Sequence, residues 1–287
     1  MSNIKTKKGY ERTLKKKSYG ATFLNIPYIL WAAIFIVIPL FIVAFYAFTD
    51  ESGAVTLENF RQLPVYKDCI ADSFIYALIA TAVTLILAYP FSYFAAKCSE
   101  TTQKIIMMLV MLPMWMNLLI MTYSIMNIIE INGIINSLLV SMGLGRLNMI
   151  NTPGAVIFGM VYNYFPYMVL PLVSVLSKID DSLLEAASDL GSNGASRFLR
   201  VILPLSVPGI VSGVTMVFVP SVSTFYISQK LGGTGVNMIG DSIEALVKSV
   251  NTIHLGATLS LVLMVVILIC IMLMNRFSDD EEGGIIL

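Results

Sequence analysis

The amino-acid sequence predicts an all-α polytopic membrane protein with six transmembrane helices and both termini in the cytoplasm. Three observations carry this. Of the 287 residues, 57% are hydrophobic and only 13% charged, and the mean hydropathy is +0.81, a composition far from that of soluble domains. Six stretches are apolar over the ~20 residues that a helix needs to cross a hydrocarbon layer about 30 Å thick. Basic residues collect on one side of the arrangement that these stretches impose.

The chain opens with a basic cytoplasmic segment, 1–22, carrying Lys5, Lys7, Lys8, Arg12, Lys15, Lys16 and Lys17. A cluster this short, placed directly before an apolar span, sets topology and meets anionic lipid; nothing in it suggests nucleic acid. The transmembrane domain is expected over 23–275. Its first span, about 23–48, is interrupted by Pro27 and Pro39 and runs on without a small-residue cleavage site, so it is expected to stay as a signal anchor. A mixed-charge loop, Asp50 to Asp72, leads to the second span, 73–96, which stops at Lys97. The third, 105–129, contains Pro113, Trp115 and Asn117. Glu130 to Asn151 reads as a loop with a short amphipathic helix on the membrane surface. The fourth span, 153–176, holds Pro166 and Pro171, the fifth is placed at 205–227 and the sixth at 255–275. An acidic tail, 276–287, closes the chain.

Lys97, Lys104, Lys178, Arg197, Arg200 and Arg276 fall on the same side as the basic start, against Arg61, Lys67, Arg146, Lys230 and Lys248 on the other. The excess puts the termini and the polar stretch Lys178 to Ile210 in the cytoplasm of a multi-pass cell-membrane protein.

That stretch is the longest passage both polar and strongly patterned. Ser182-Leu183-Leu184-Glu185 has capping-box spacing, predicting a helix start at Ser182. Gly191 is placed to end the helix in a left-handed turn, and Ser192 or Ser196 to cap a second one. That helix carries Arg197, Phe198 and Arg200 until Pro204 and Pro208 break or kink it. By itself this geometry equally fits an ordinary well-capped loop.

Glu185-Ala186-Ala187, then Gly191, Val201, Leu203 and Pro204, resembles the EAA loop of ABC importer permeases, E-A-A-x3-G-x9-I-x-L-P, with Val201 in place of isoleucine. The resemblance implies the type I importer permease fold. It also implies that 178–204 contains a coupling helix seated in an ATPase subunit, with Glu185, Ala186, Ala187, Asp189, Gly191, Arg197 and Pro204 at or beside the contact. AYPFSYFAAK at Ala88, LPMWMNLLIMTYS at Leu112 and TFYISQKLGGTGVNMIGDSI at Thr224 are similar to spermidine/putrescine importer permeases of the B type. One departure is Met121, where many relatives carry arginine. The implied partners are a second, C-type permease, an ATP-binding cassette dimer and an external polyamine-binding protein. The chain itself has no Walker lysine motif and is expected to hold no cofactor and to catalyse nothing; ATP and Mg belong to the ATPase.

The spans hold almost no ionisable groups, so a cationic substrate would meet aromatic faces, hydroxyls and carbonyls. Candidates are Trp115, Asn117, Tyr123, Tyr162, Asn163, Tyr167, Ser221, Ser223, Thr224, Phe225 and Tyr226. For each aromatic the competing reading is an interfacial belt or helix packing. Asp241 and Glu244 in the last outer loop could draw in a polycation, or simply be solvated. Gly232, Gly233 and Gly235 suit a tight re-entrant turn, His254 an interfacial position, and Cys69, Cys98 and Cys270 free thiols. Rival functions are a permease for phosphate, sulfate or iron, an autonomous secondary transporter, and, more weakly, an intramembrane protease.

Overall fold

The computed structural model describes residues 26–282, with side chains from Pro27 to Met274 and at Arg276. The basic segment 1–22, positions 23–25 of the first predicted span and positions 283–287 of the tail lie outside it. Among the described residues the regular secondary structure is helical apart from one isolated bridge, Thr49 to Val55. Six helical segments are long and apolar enough to cross a membrane.

The first of these joins α1 (Ile26–Ala32) to α2 (Ile38–Ala47) through a π-helical turn, Ala33–Val37. Pro39 explains the turn: its ring would press on the carbonyl four residues back. The wider winding, with the Ile38 N–H reaching the Ala33 carbonyl, makes room. After a short α3 (Glu58–Arg61), α4 (Lys67–Lys97) is 31 residues long and starts before the predicted position 73.

The third span is not the single helix 105–129. α5 (Glu100–Trp115) ends after Pro113, Met116 and Asn117 are extended, and α6 (Leu118–Ile129) restarts with the Asn117 side chain accepting the Leu119 N–H at 2.8 Å. A proline followed by an asparagine N-cap is a stop and a start, and here both act. α7 (Ile134–Ser141) supplies the expected short helix, and the segment that qualifies by length and apolarity runs Leu118–Ser141.

α8 (Pro153–Leu176) is the most buried of the six, packed against α4 on one side and α11 (Leu203–Ser223) on the other. Lipid tails are as apolar as leucine, so close packing rather than hydrophobicity must hold these helices together. α4 presents a buried stripe of Ala77, Ala80, Thr81, Thr84, Ala88, Ser92 and Ala95. α11 presents Gly213, where a Cβ would lie 2.6 Å from Met168 Sδ.

Between α8 and α11 lie α9 (Asp181–Asp189), α10 (Gly194–Arg197) and a second π turn, Phe198–Ile202. The turn sits just before Pro204 and relieves it as the first does Pro39, the Leu203 N–H reaching the Phe198 carbonyl. Pro204 and Pro208 therefore do not break the fifth span, and Gly194–Ser223 continues as one 30-residue helix. It also ends before the predicted position 227: Thr224 is extended, and the chain folds back through a π turn, Ser228–Gly232.

The last polar loop is consequently not a solvated excursion. Ile227, Leu231, Val236 and Met238 are buried in the main core, and α12 (Ile239–Val247) packs against α4 and α11. Its first N–H, from Ile239, is taken by the buried Ser73 hydroxyl of α4 at 2.7 Å. α13 (Ile253–Glu282) completes the fold; His254 Nδ1 lies 3.1 Å from the Tyr46 carbonyl, pinning it to α2.

Candidate functional site

The α9–α10 loop is held from one side and open on the other. α9 starts one residue before the predicted capping box: Asp180 is the N-cap, its Oδ1 accepting the Ser182 N–H at 2.9 Å. That bond holds its carboxyl below the ordinary aspartate range. The predicted serine caps of the second helix also give way, to Asn193, which accepts the Ser196 N–H at 2.8 Å. In both places an Asp or Asn near a serine takes the cap: all three are strong N-cap types, and the side-chain oxygen that meets an N2 or N3 donor here is that of Asp180 and of Asn193.

The left-handed turn falls where expected. Gly191 has φ +80°, and the Ser192 and Gly191 N–H groups bond to the Ala187 and Ser188 carbonyls at 3.0 and 2.9 Å, the two bonds of a Schellman motif. Leu184 and Phe198 pack against the core, the Phe198 ring standing edge to face on Tyr89 at 5.6 Å. Asp181 pairs with Lys97 at the end of α4. Glu185, Ala186, Asp189 and Leu190 face outward, Leu190 88% exposed, and Arg197 is partly covered and bonded to Ser188. Pro204 lies exposed at the head of α11.

At the opposite end the aromatic candidates separate into groups. Tyr123 of α6 and Tyr226, just past α11, meet edge to face with centroids 6.5 Å apart. Ser223, Phe225 and Glu244 line one groove of 590 Å³ between α11, α12 and α13. Tyr162 lies apart, in an apolar pocket of 300 Å³ with Pro113 and Phe165. Trp115 is 75% exposed at the α5 end, and Asn117 is the cap described above. Asn163 is buried, giving its N–H to the Gly159 carbonyl, and Tyr167 packs edge to face on Tyr164. Ser221 is buried and bonds back to the Val217 carbonyl, and Thr224 is also buried.

Of the two acidic candidates, Asp241 turns inward. Its oxygens accept the Ser228 hydroxyl and the Met238 N–H, both at 2.9 Å, and burial pushes its carboxyl above the ordinary range. Glu244 is drawn down by Lys248, with which it pairs, and also accepts from Gln229. Sequence reasoning missed Lys230, whose ammonium lies 5.2 Å from the Tyr123 ring centroid and 5.9 Å from that of Tyr226. The sequence signal available for it was a lysine four residues after Tyr226, one helical turn away.

Residues 88–280 match the family described as "Binding-protein-dependent transport system inner membrane component". The chain belongs to this family. Within it, the chain is 37% identical over 225 residues to the "Spermidine/putrescine transport system permease protein PotB" of Haemophilus influenzae, covering 75% of this chain and 79% of that protein. The protein of the same name from Escherichia coli K12 is 33% identical over 258 residues, covering 86% and 94%. The present permease is thus an ABC importer permease of the PotB type, a multi-pass membrane protein and a non-catalytic transport component.

Among solved structures, a bacterial ABC transporter that imports the acidic polysaccharide alginate has a chain that matches with TM-score 0.72 and 17% identity, covering 94% of this permease and 99% of that chain. The same kind of transporter in complex with a periplasmic protein carrying an alginate pentasaccharide matches with TM-score 0.73 and 16% identity, covering 92% and 95%. At that identity the likeness concerns the fold.

Proposed function

We propose that this permease imports polyamines of the spermidine and putrescine class, forming the path with a second, C-type permease and receiving force from an ATPase dimer through the α9–α10 loop. The observation that carries the coupling is the loop itself. A helix with an outward face of Glu185, Ala186, Asp189 and Leu190 ends in the Schellman turn at Gly191 and is anchored by Leu184, the Lys97 pair and the Arg197 bond to Ser188. An exposed leucine on such a rigid projection suits a groove in a partner. The cargo reading rests on the similarity to permeases named for spermidine and putrescine and on the Tyr123–Tyr226 pair, a cation-attracting surface.

In this reading the loop and both termini face the cytoplasm, and the α12 end faces an external polyamine-binding protein. ATP and Mg are bound by the ATPase alone. Closure of the ATPase dimer moves α9 and α10, and the continuous Gly194–Ser223 helix passes that movement to the opposite end, where Ser223, Phe225 and Tyr226 lie. The test is co-purification from native membrane. A second six-span protein and an ATPase should accompany the permease, with ATP hydrolysis stimulated by polyamine-loaded binding protein. Recovery of this chain alone, fully active in liposomes, would refute the proposal in favour of an autonomous transporter.

A further inference from the structure

The aromatic pair near the α6 helix already meets an ammonium group, the protein's own. Lys230 Nζ lies 5.2 and 5.9 Å from the ring centroids of Tyr123 and Tyr226, within the roughly 6 Å over which a cation is drawn to a ring face. The two rings stand at 68° to one another, and Tyr123 is 43% exposed, so the pair can also be reached from outside.

The acidic groups nearby are engaged elsewhere. Asp241 is bonded to Ser228 and Met238, and Glu244 to Lys248 and Gln229. Lys230 makes no ion pair among the described residues. Its backbone is fixed, since Leu231 and Gly232 beside it are buried. Leu231 and Ile227 sit so close on Gly159 that a Cβ there would lie 2.4 and 2.9 Å from them. The lysine therefore rises from a rigid platform towards the rings, and the Tyr123 phenol beside it holds its ammonium above the ordinary lysine range.

We propose that Tyr123 and Tyr226 form an ammonium site on the substrate path, and that Lys230 is its tethered occupant, which a primary ammonium of the cargo must displace. This rests on the polyamine reading above. A lysine side chain is a butylammonium, the same polymethylene amine that ends a linear polyamine, so both suit the same ring faces. Self-occupancy keeps the site filled between transport cycles and lowers its affinity for an amine that carries only one charge. A polyamine retains its other ammonium groups for contacts elsewhere.

The test uses the purified complete transporter without its binding protein, with labelled spermidine bound at equilibrium. Import by the same preparation supplied with binding protein is measured in parallel. Lys230→Met, and Lys230→Gln as a second neutral form, should bind spermidine on the order of three- to tenfold more tightly than the wild type, and Tyr123→Leu should erase that gain. Added spermidine should also raise the acetylation rate of wild-type Lys230, read by mass spectrometry. Unchanged or weaker binding in both neutral variants, or a lysine whose reactivity ignores spermidine, overturns the proposal while import stands. A wild-type transporter that imports no polyamine overturns the cargo reading and this inference with it.

Discussion

Arg197 donates through Nη1 to the Ser188 hydroxyl at 2.7 Å, and this bond joins α9 and α10 across the bend at Gly191. Both residues are at the surface, so its contribution to stability is small, about 0.5–1.5 kcal/mol. Its mechanical role is larger if α9 and α10 must move as one. Arg197→Met and Ser188→Ala should leave thermal stability within about 1 kcal/mol of the wild type. They should nevertheless reduce the number of polyamines imported per ATP hydrolysed, read by paired uptake and phosphate-release assays.

Gly191 supplies a second prediction of a different kind. A Cβ placed there meets nothing within 4 Å, yet φ is +80°, so a side chain fits in space and is disfavoured only by backbone conformation. Gly191→Ala should cost about 1–2 kcal/mol of loop stability. Gly191→Asn should cost less, because asparagine tolerates the left-handed region. Hydrogen exchange over 181–200 reads the difference.

How far the sequence foretold this depends on what kind of signal each feature left. The Gly191 turn was legible because one residue type fits one backbone region. The fourth predicted span was legible because 153–176 is a long, mostly apolar stretch without a charged residue, and the helix there begins and ends where expected. The caps at Asp180 and Asn193 were misplaced by one to three residues, since neighbouring Ser, Asp and Asn compete for the same donors. Pro204 and Pro208 suggested a break or kink; the helix instead runs on through both, with a π turn relieving Pro204, and a proline in the sequence does not say whether a helix will stop or widen around it. The split at Asn117 was written in a proline stop and an asparagine cap, which hydropathy passes over, and the burial of the Ile227–Ile239 segment depends on tertiary contacts with α8 and α4, which hydropathy does not encode. The Tyr123–Tyr226–Lys230 cluster joins positions about a hundred residues apart in the chain, so only Tyr226 and Lys230 could be related beforehand.

Two buried serines on α4 make a matched test of packing. Ser73 accepts the Ile239 N–H at 2.7 Å and donates to the Cys69 carbonyl at 2.8 Å, whereas the Ser92 hydroxyl is buried without a partner. Ser73→Ala should leave the Ile239 N–H unpaired and cost about 1–3 kcal/mol, while Ser92→Ala should be neutral or slightly stabilising. Thermal unfolding in detergent compares them directly.

Asp241 predicts a pH dependence whose sign follows from its surroundings. Burial raises its carboxyl above the ordinary aspartate value despite the Met238 and Ser228 bonds, so the folded state holds the proton more firmly than the unfolded one. Its contribution is fully present below the ordinary aspartate value and is lost as pH rises through the raised one. Hydrogen exchange of 238–247 should therefore report a less stable segment towards the upper side of that window, and Asp241→Asn should flatten the profile.

Coupling of polyamine import to ATP hydrolysis through the α9 face makes Glu185→Arg the decisive variant. Glu185 is exposed and makes no ion pair among the described residues, so reversing its charge leaves the bundle intact. In proteoliposomes containing the complete transporter and its binding protein, ATP-driven uptake of labelled spermidine should be abolished in the variant, at wild-type levels of inserted permease. Spermidine uptake equal to the wild type in that variant would mean that α9 does not carry the coupling.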